Sequence, residues 1–382
     1  MTPPPDAPDT AGTPDPRQAG PPGSTTAHPG RAGRSLRRTW PYIRYVVGLG
    51  LVALAVWAVT GQRGELSGAS TYLADVSWPW VILAVVLEFA SIVAFALVQR
   101  ELLLAGDVDA GRGSMTSVTL AATAIANSMP AGPVVSSVFA FRQYRRRGAD
   151  DALAGWTLVA VFVAASVSLA LVAATGLSIA GAEGANLDLV WVTLGVLLVA
   201  LAMGAVFLQH RAIDWLINAS VRTSRRLLHW PRGDVGARVD RLVAHLTAVR
   251  LTPRRAGRVL AWGLANWILD AGCLALAFVA VGVAVPWHGL LLAYGAGQLA
   301  VNLPITPGGL GVVEGSLTIA LVAFGGAETS TVAAVLLYRI ISFWGELPVG
   351  YAVWGALAVK TRRETAAAAT GQRAEVPAEV VA

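Results

Sequence analysis

The sequence predicts an all-α integral membrane protein that crosses the bilayer several times, and three observations carry that reading. Hydrophobic residues fill 55% of 382 positions and charged ones only 14%, about half the charged share of an ordinary soluble domain. Apolar runs of roughly 20 residues recur between positions 43 and 359, each long enough at about 1.5 Å per residue to cross a hydrocarbon core of about 30 Å. Arginines gather beside alternate ends of these runs, as membrane topology requires.

Taken in order, residues 1–39 carry nine prolines among Gly, Ser, Thr and Arg. They hold too little apolar surface to bury and read as a disordered tail. The first apolar segment begins beyond residue 40 and runs on as a full span, unlike a cleaved signal peptide. Spans are expected at Ile43 to Thr60, Trp78 to Gln99, Ala152 to Ala180, Leu189 to Leu208, Val259 to Val283 and Thr331 to Val359. Between them lie two interrupted apolar segments, roughly Met115 to Phe141 and Leu290 to Phe324. Residues 361–382 read as a second loose tail. The domain boundaries are therefore 1–39, 40–360 and 361–382, with halves of about 40–180 and 187–360.

Charge sets the orientation. Arg31, Arg34, Arg37, Arg38 and Arg44 precede the first span, and Gln209 to Arg258 holds eleven Arg against three Asp. These regions, including the basic segment 209–256, belong in the cytoplasm, and so do both termini. The loops Gly181 to Asp188 and Gly325 to Ser330 carry only acids among their charges and belong outside. Arg100 and Arg112 before the first interrupted segment, and Arg142, Arg145, Arg146 and Arg147 after it, must then share one side. That segment must enter and return, and by the same logic the second returns from the other face. Each half reads span, span, re-entrant hairpin, span, with the second half inverted.

The hairpin tips agree. ANSMPAGP (Ala126 to Pro133) and VNLPITPGG (Val301 to Gly309) both set Asn just ahead of Pro, with a second Pro three residues later. Broken backbone in lipid leaves N–H and C=O groups unpaired at several kcal/mol each, so it persists only against protein or a water-filled cavity. The breaks therefore mark a cavity, or a close glycine-mediated helix crossing.

Ionisable residues inside the expected spans are few: Glu88, Asp270, Glu314, Arg339 and Glu346. Each needs a partner or a task. Glu88 and Asp270 occupy equivalent spans of the two halves, either facing one central cavity or each held protonated and hydrogen-bonded to a neighbouring helix. Glu314 follows Gly308, Gly309 and Gly311 in the first turn of a helix, where it either caps the terminus or shares it with a bound anion. Arg339 has Glu314 or Glu346 as natural partners, in an ion pair or around a phosphate. Arg142 and Arg145 sit at the mouth of the first hairpin, placed for lipid phosphates or for orientation alone.

Other classes find no support. The basic charge of +6 lies beside spans, which argues against nucleic acid. No phosphate-binding Gly-rich loop, His-Glu-x-x-His or Cys cluster occurs, and Cys273 is the single cysteine. The expectation is a non-enzyme with no cofactor and no metal.

The residues NLPITPGGLGVVEG and LLYRIISFWGELPVGY resemble the lysylphosphatidylglycerol synthetase transmembrane-region family, also called the flippase-like domain family. The resemblance spans roughly residues 40–360, and its most specific part is Pro304, Thr306, Pro307, Gly308, Gly309, Gly311 and Glu314, with Tyr338 and Arg339 downstream. Asn127, Pro130 and Arg142 resemble the family's first break and basic stretch, and Asn302 opens the second. One departure stands out: many members follow the first Pro with Gly-Glu, whereas Pro130 is followed by AGPVVSS. The resemblance implies a cytoplasmic-membrane domain that moves or exposes a lipid, with the tip residues, Arg142, Arg145 and Arg339 along its path. Anionic, aminoacylated and polyprenyl-linked lipids all remain open as partners, as does a homodimer. The competing expectation is a scaffold for an envelope-synthesis enzyme.

Overall fold

The computed structural model describes residues 75–129, 132–181, 251–301 and 307–374, with isolated helical positions between 191 and 204. The expected spans 43–60 and 189–208, the N-terminal tail and most of the basic segment lie wholly or largely outside the described residues.

Every regular element among the described residues is helical. In chain order they are α1 (Trp78–Leu104), α2 (Arg112–Ser128), α3 (Gly132–Arg146), α4 (Asp151–Gly181), α5 (Pro253–Val281), α6 (Trp287–Val301), a 3₁₀ turn (Pro307–Gly309), α7 (Val312–Ala323), α8 (Glu328–Arg339), a π-helical segment (Ile340–Trp344) and α9 (Glu346–Ala374). Among the described residues, four stretches are long and apolar enough to cross a membrane: Trp78–Leu104, Asp151–Gly181, Pro253–Val281 and Glu328–Glu364. The fold is thus an all-α, multiply spanning membrane protein. Both halves show the same order, a long helix, a broken pair, then a long helix.

Local chemistry explains the boundaries. Pro79 and Pro253 each stand in the first turn of a long helix, where their missing N–H costs nothing. The Thr252 hydroxyl accepts from Arg255 N at 3.4 Å. Gly282 closes α5 in the left-handed conformation at φ 79°, so that Val283 N–H can reach the Phe278 carbonyl. α9 does not end at Lys360, where composition sets the tail, but continues to Ala374. The run Thr365 to Ala369 is alanine-rich, with high helix propensity that needs no apolar face.

The core is an antiparallel pair of equivalent helices from the two halves, α1 and α5, pinned along its length. Ser77 N donates to the Ala280 carbonyl at 2.9 Å, Asn266 Nδ2 to Ser91 Oγ at 2.8 Å, and Arg255 to the Leu104 carbonyl. Around this pair, α4 packs on α5 and α6, α8 packs on α5 and α7, and α9 packs on α2. Lipid-facing positions keep large apolar side chains exposed, among them Ile82, Phe162 and Ile319, as a bilayer solvent allows.

Gly350 is where α9 meets α2. A Cβ there would sit 2.5 Å from both Ala124 Cβ and the Leu120 carbonyl oxygen. Gly350→Leu should therefore lower stability by about 1–3 kcal/mol or more, the cost of overpacking. Gly355→Leu, one turn further into open space, should leave the unfolding midpoint unchanged. Equal midpoints for the two variants in detergent would contradict this helix crossing.

Candidate functional site

Two features lie at the middle of the bundle, a clamp on the second tip and a cluster of carboxyls. The second tip is built from glycines in conformations that side chains resist: Gly308, Gly309 and Gly311 have φ of 61°, 69° and 80°. Arg339 holds this tip from α8. Its Nε donates to Glu314 Oε1 at 2.6 Å and an Nη to the Gly308 carbonyl at 3.1 Å, and its guanidinium lies 4.5 Å from the Phe343 ring centroid. Glu314 Oε2 accepts from Gly311 N at 2.6 Å. Of the alternatives open in the sequence, the structure thus shows Arg339 paired with Glu314, and Glu314 capping its own helix. That helix start is already satisfied by a carboxylate.

The two tips touch. A Cβ on Gly308 would stand 2.9 Å from the Asn127 carbonyl oxygen and 2.1 Å from Phe343 Cε2. Next to it in the first tip, Ser128 Oγ and Tyr351 Oη share a 2.7 Å hydrogen bond. Pro130, Asn302, Pro304 and Thr306 lie outside the described residues, and Pro307 is placed only as backbone at the start of the 3₁₀ turn. Arg142 is exposed on α3, whereas Arg145 is engaged by Asp151 at 2.6 Å and by the Ala149 carbonyl at 3.0 Å.

The acids converge. Asp270, 9% exposed on α5, accepts from Tyr294 Oη at 2.7 Å, from Tyr338 Oη at 2.8 Å and from Gln298 Nε2 at 3.2 Å. Glu88 faces it from α1, carboxyl to carboxyl, and also meets Glu346 at the start of α9. Glu88 Oε2 is buried without a hydrogen-bond partner. No group of His, Cys, Asp or Glu among the described residues is arranged to hold a metal ion.

Beside this cluster a cavity of about 490 Å³ opens between α1, the π segment and the start of α9. Its walls are apolar, including Val81, Val85, Phe89, Ile340 and Val349, and its two charged lining residues are Glu88 and Glu346. Phe89, Ile340 and Val349 are each about half exposed, so the groove is open on that side rather than enclosed. The cavity is therefore not enclosed by the described tip residues but runs alongside them.

The groove and the donors around Asp270 were not read from the sequence. Tyr294 and Gln298 stand four residues apart on α6 and so share one helix face. A polar pair at that spacing on an otherwise apolar helix was the available signal. Tyr338 entered only through the family motif.

Comparison with known proteins agrees with this architecture. The profile of the lysylphosphatidylglycerol synthase TM region matches residues 45–350. The chain belongs to this family. A UPF0104 membrane protein of Methanothermobacter thermautotrophicus is 25% identical over 315 residues, covering 78% of this chain and 90% of that protein. Another UPF0104 membrane protein of the same organism is 37% identical over 87 residues, 23% of this chain and 25% of its own length. The family match reaches from the first expected span to Gly350, so tips, clamp and acid cluster all fall inside it. Family membership gives the protein a membrane-domain character tied to lipid chemistry.

Proposed function

We propose that this member of the family is a membrane lipid translocator. It moves or exposes a lipid with a polar or charged headgroup across the cytoplasmic membrane, with both termini inside and no covalent chemistry of its own. The observation that carries the reading is the groove: apolar walls open on one side, with two carboxyls in its lining. An acyl or isoprenoid chain matches such walls, while the headgroup needs the polar groups. The two tips meeting at Gly308 and Asn127 support it further, since non-helical backbone at membrane depth is tolerated where protein or a cavity surrounds it.

The test is transbilayer exchange of fluorescent and natural lipids in liposomes. Val85 lines the groove and is half exposed, so Val85→Trp fills space without displacing core. It should slow exchange at least about tenfold, roughly 1.4 kcal/mol on the barrier. Ile319→Trp, on the exposed face of α7 and absent from the groove lining, should not. Wild-type protein that accelerates no lipid tested returns the protein to the scaffold reading. Gly309→Leu is a less clean probe, because φ 69° strains any side chain there.

A further inference from the structure

Buried Glu88 and Asp270 and the partly buried Glu346 converge from three helices. Their surroundings treat them differently. Asp270 has both oxygens supplied with donors, two phenols and a carboxamide, and needs no proton to be satisfied. The nearest cation, Arg339, is already committed to Glu314 at 2.6 Å and to the Gly308 carbonyl. That leaves the Glu88 carboxyl against those of both Asp270 and Glu346, with Glu88 Oε2 lacking a hydrogen-bond partner, and of those two acids Glu346 is the one that lines the groove with it. Two carboxylates in contact away from water repel, whereas a carboxyl and a carboxylate sharing one proton form a short, strong hydrogen bond. Glu88 is 6% exposed, and the groups acting on it are acids, phenols and a thiol rather than bases, so the proton is the ligand this arrangement lacks.

The other groups facing Glu88 do not supply it. From α5 come Asp270 and Cys273, from α6 Tyr294 and from α8 Tyr338, while Arg339 of α8 acts on Asp270 and Glu346. Tyr294 and Tyr338 already give their hydroxyl protons to Asp270. α2 beyond Arg112 and α4 beyond Asp151 carry no titratable side chain. Both glutamates line the groove, whose wall runs from Val76 and Trp78 at the start of α1 down to Glu88, about 15–18 Å at the helical rise. The pair therefore borders the groove.

We propose that Glu88 and Glu346 form a proton-binding site that exchanges its proton through the groove and couples lipid movement to a transmembrane proton gradient. The coupling half rests on the translocator reading; the proton site itself does not. When a headgroup enters the groove it meets either a singly protonated pair, of net charge −1, or a doubly ionised one, of net charge −2. Occupancy by lipid and by proton are thereby linked, and linkage is reciprocal.

The experiment has two arms. Infrared difference spectra of the full chain in vesicles of diether phosphatidylcholine, which lacks ester carbonyls, report the protonated carboxylic acid band directly. Between about pH 5 and about pH 9, where buried carboxyls titrate, wild type should show such a band that shifts in D₂O and is lost on deprotonation. Glu88→Gln and Glu346→Gln should each remove it. Absence of any such band in wild type overturns the site, whatever the variants do. In the second arm, an imposed gradient of one pH unit should bias the transbilayer distribution of the transported lipid by up to about tenfold for one coupled proton. Exchange that ignores the gradient overturns the coupling. A titrating band in protein that moves no lipid supports the proton site and removes the translocator reading instead.

Discussion

Arg339→Ala is expected to cost about 3–5 kcal/mol of folding free energy, the penalty for stranding one partner of a buried ion pair. The side chains of Arg339 and Glu314 are 8% and 15% exposed. Without the guanidinium, Glu314 keeps the Gly311 N–H as a donor but loses its charged partner, and the Gly308 carbonyl loses the donor from α8. Glu314→Ala should cost a similar amount by stranding Arg339. The double variant should recover part of the loss, because no unpaired charge is left, although the Gly308 carbonyl and the Gly311 N–H still lose their partners. Arg339→Lys should fall between, keeping the charge but losing the second hydrogen bond and the planar contact with Phe343. Equilibrium unfolding in mixed micelles measures all four. Strict additivity of the two alanine variants would show that the pair is not energetically formed, and would return Arg339 to phosphate binding.

Much of the architecture was readable because bilayer chemistry writes it in composition. The expected spans Trp78 to Gln99, Ala152 to Ala180 and Val259 to Val283 match α1, α4 and α5 to within a few residues. The breaks read around Pro130 and Pro304 are bracketed by the end of α2 at Ser128 and the start of α3 at Gly132, and by the end of α6 at Val301 and the start of α7 at Val312. Glu88 and Asp270 were legible as acids of equivalent spans, but whether they faced a cavity or bonded to neighbouring helices was not, and the structure shows Asp270 accepting from tyrosines of α6 and α8.

Glu346 was not legible in the same way, for a definite reason. In an unbroken α-helix, residues seven apart share a face, which made Glu346 a natural partner for Arg339. The π segment Ile340–Trp344, marked by Gly345 N bonding to the Ile340 carbonyl at 2.8 Å, adds a residue to the turn and rotates α9 relative to α8 by about 100°. Arg339 consequently looks toward Glu314 while Glu346 looks toward Glu88. Nothing in IISFW announces a π turn by composition. The same rotation sets Ile340 and Ile341 into the groove wall, so the element that was hidden from the sequence shapes both the clamp and the cavity.

Asp270→Ala should be the other severe substitution, costing about 3–5 kcal/mol by the loss of a buried acceptor shared by three donors. The damage falls on its donors: Tyr294 Oη, Tyr338 Oη and Gln298 Nε2. Each hydroxyl left buried without an acceptor costs about 1–3 kcal/mol, and both tyrosines are nearly fully buried, at 1% and 3% exposure. Asp270→Asn should cost much less, since the amide oxygen still accepts from one phenol and the other hydroxyl can turn to accept from the amide N–H. Adding Tyr294→Phe and Tyr338→Phe to Asp270→Ala should then restore stability in part, which a purely steric defect would not permit. The three donors come from α6 and α8, so hydrogen exchange should rise along α6 in Asp270→Ala before the protein unfolds globally. A loss below about 1 kcal/mol, with no recovery from the phenylalanines, would mean that Asp270 does not join these helices. In that case the proton-binding pair would stand against a loose wall rather than a fixed one.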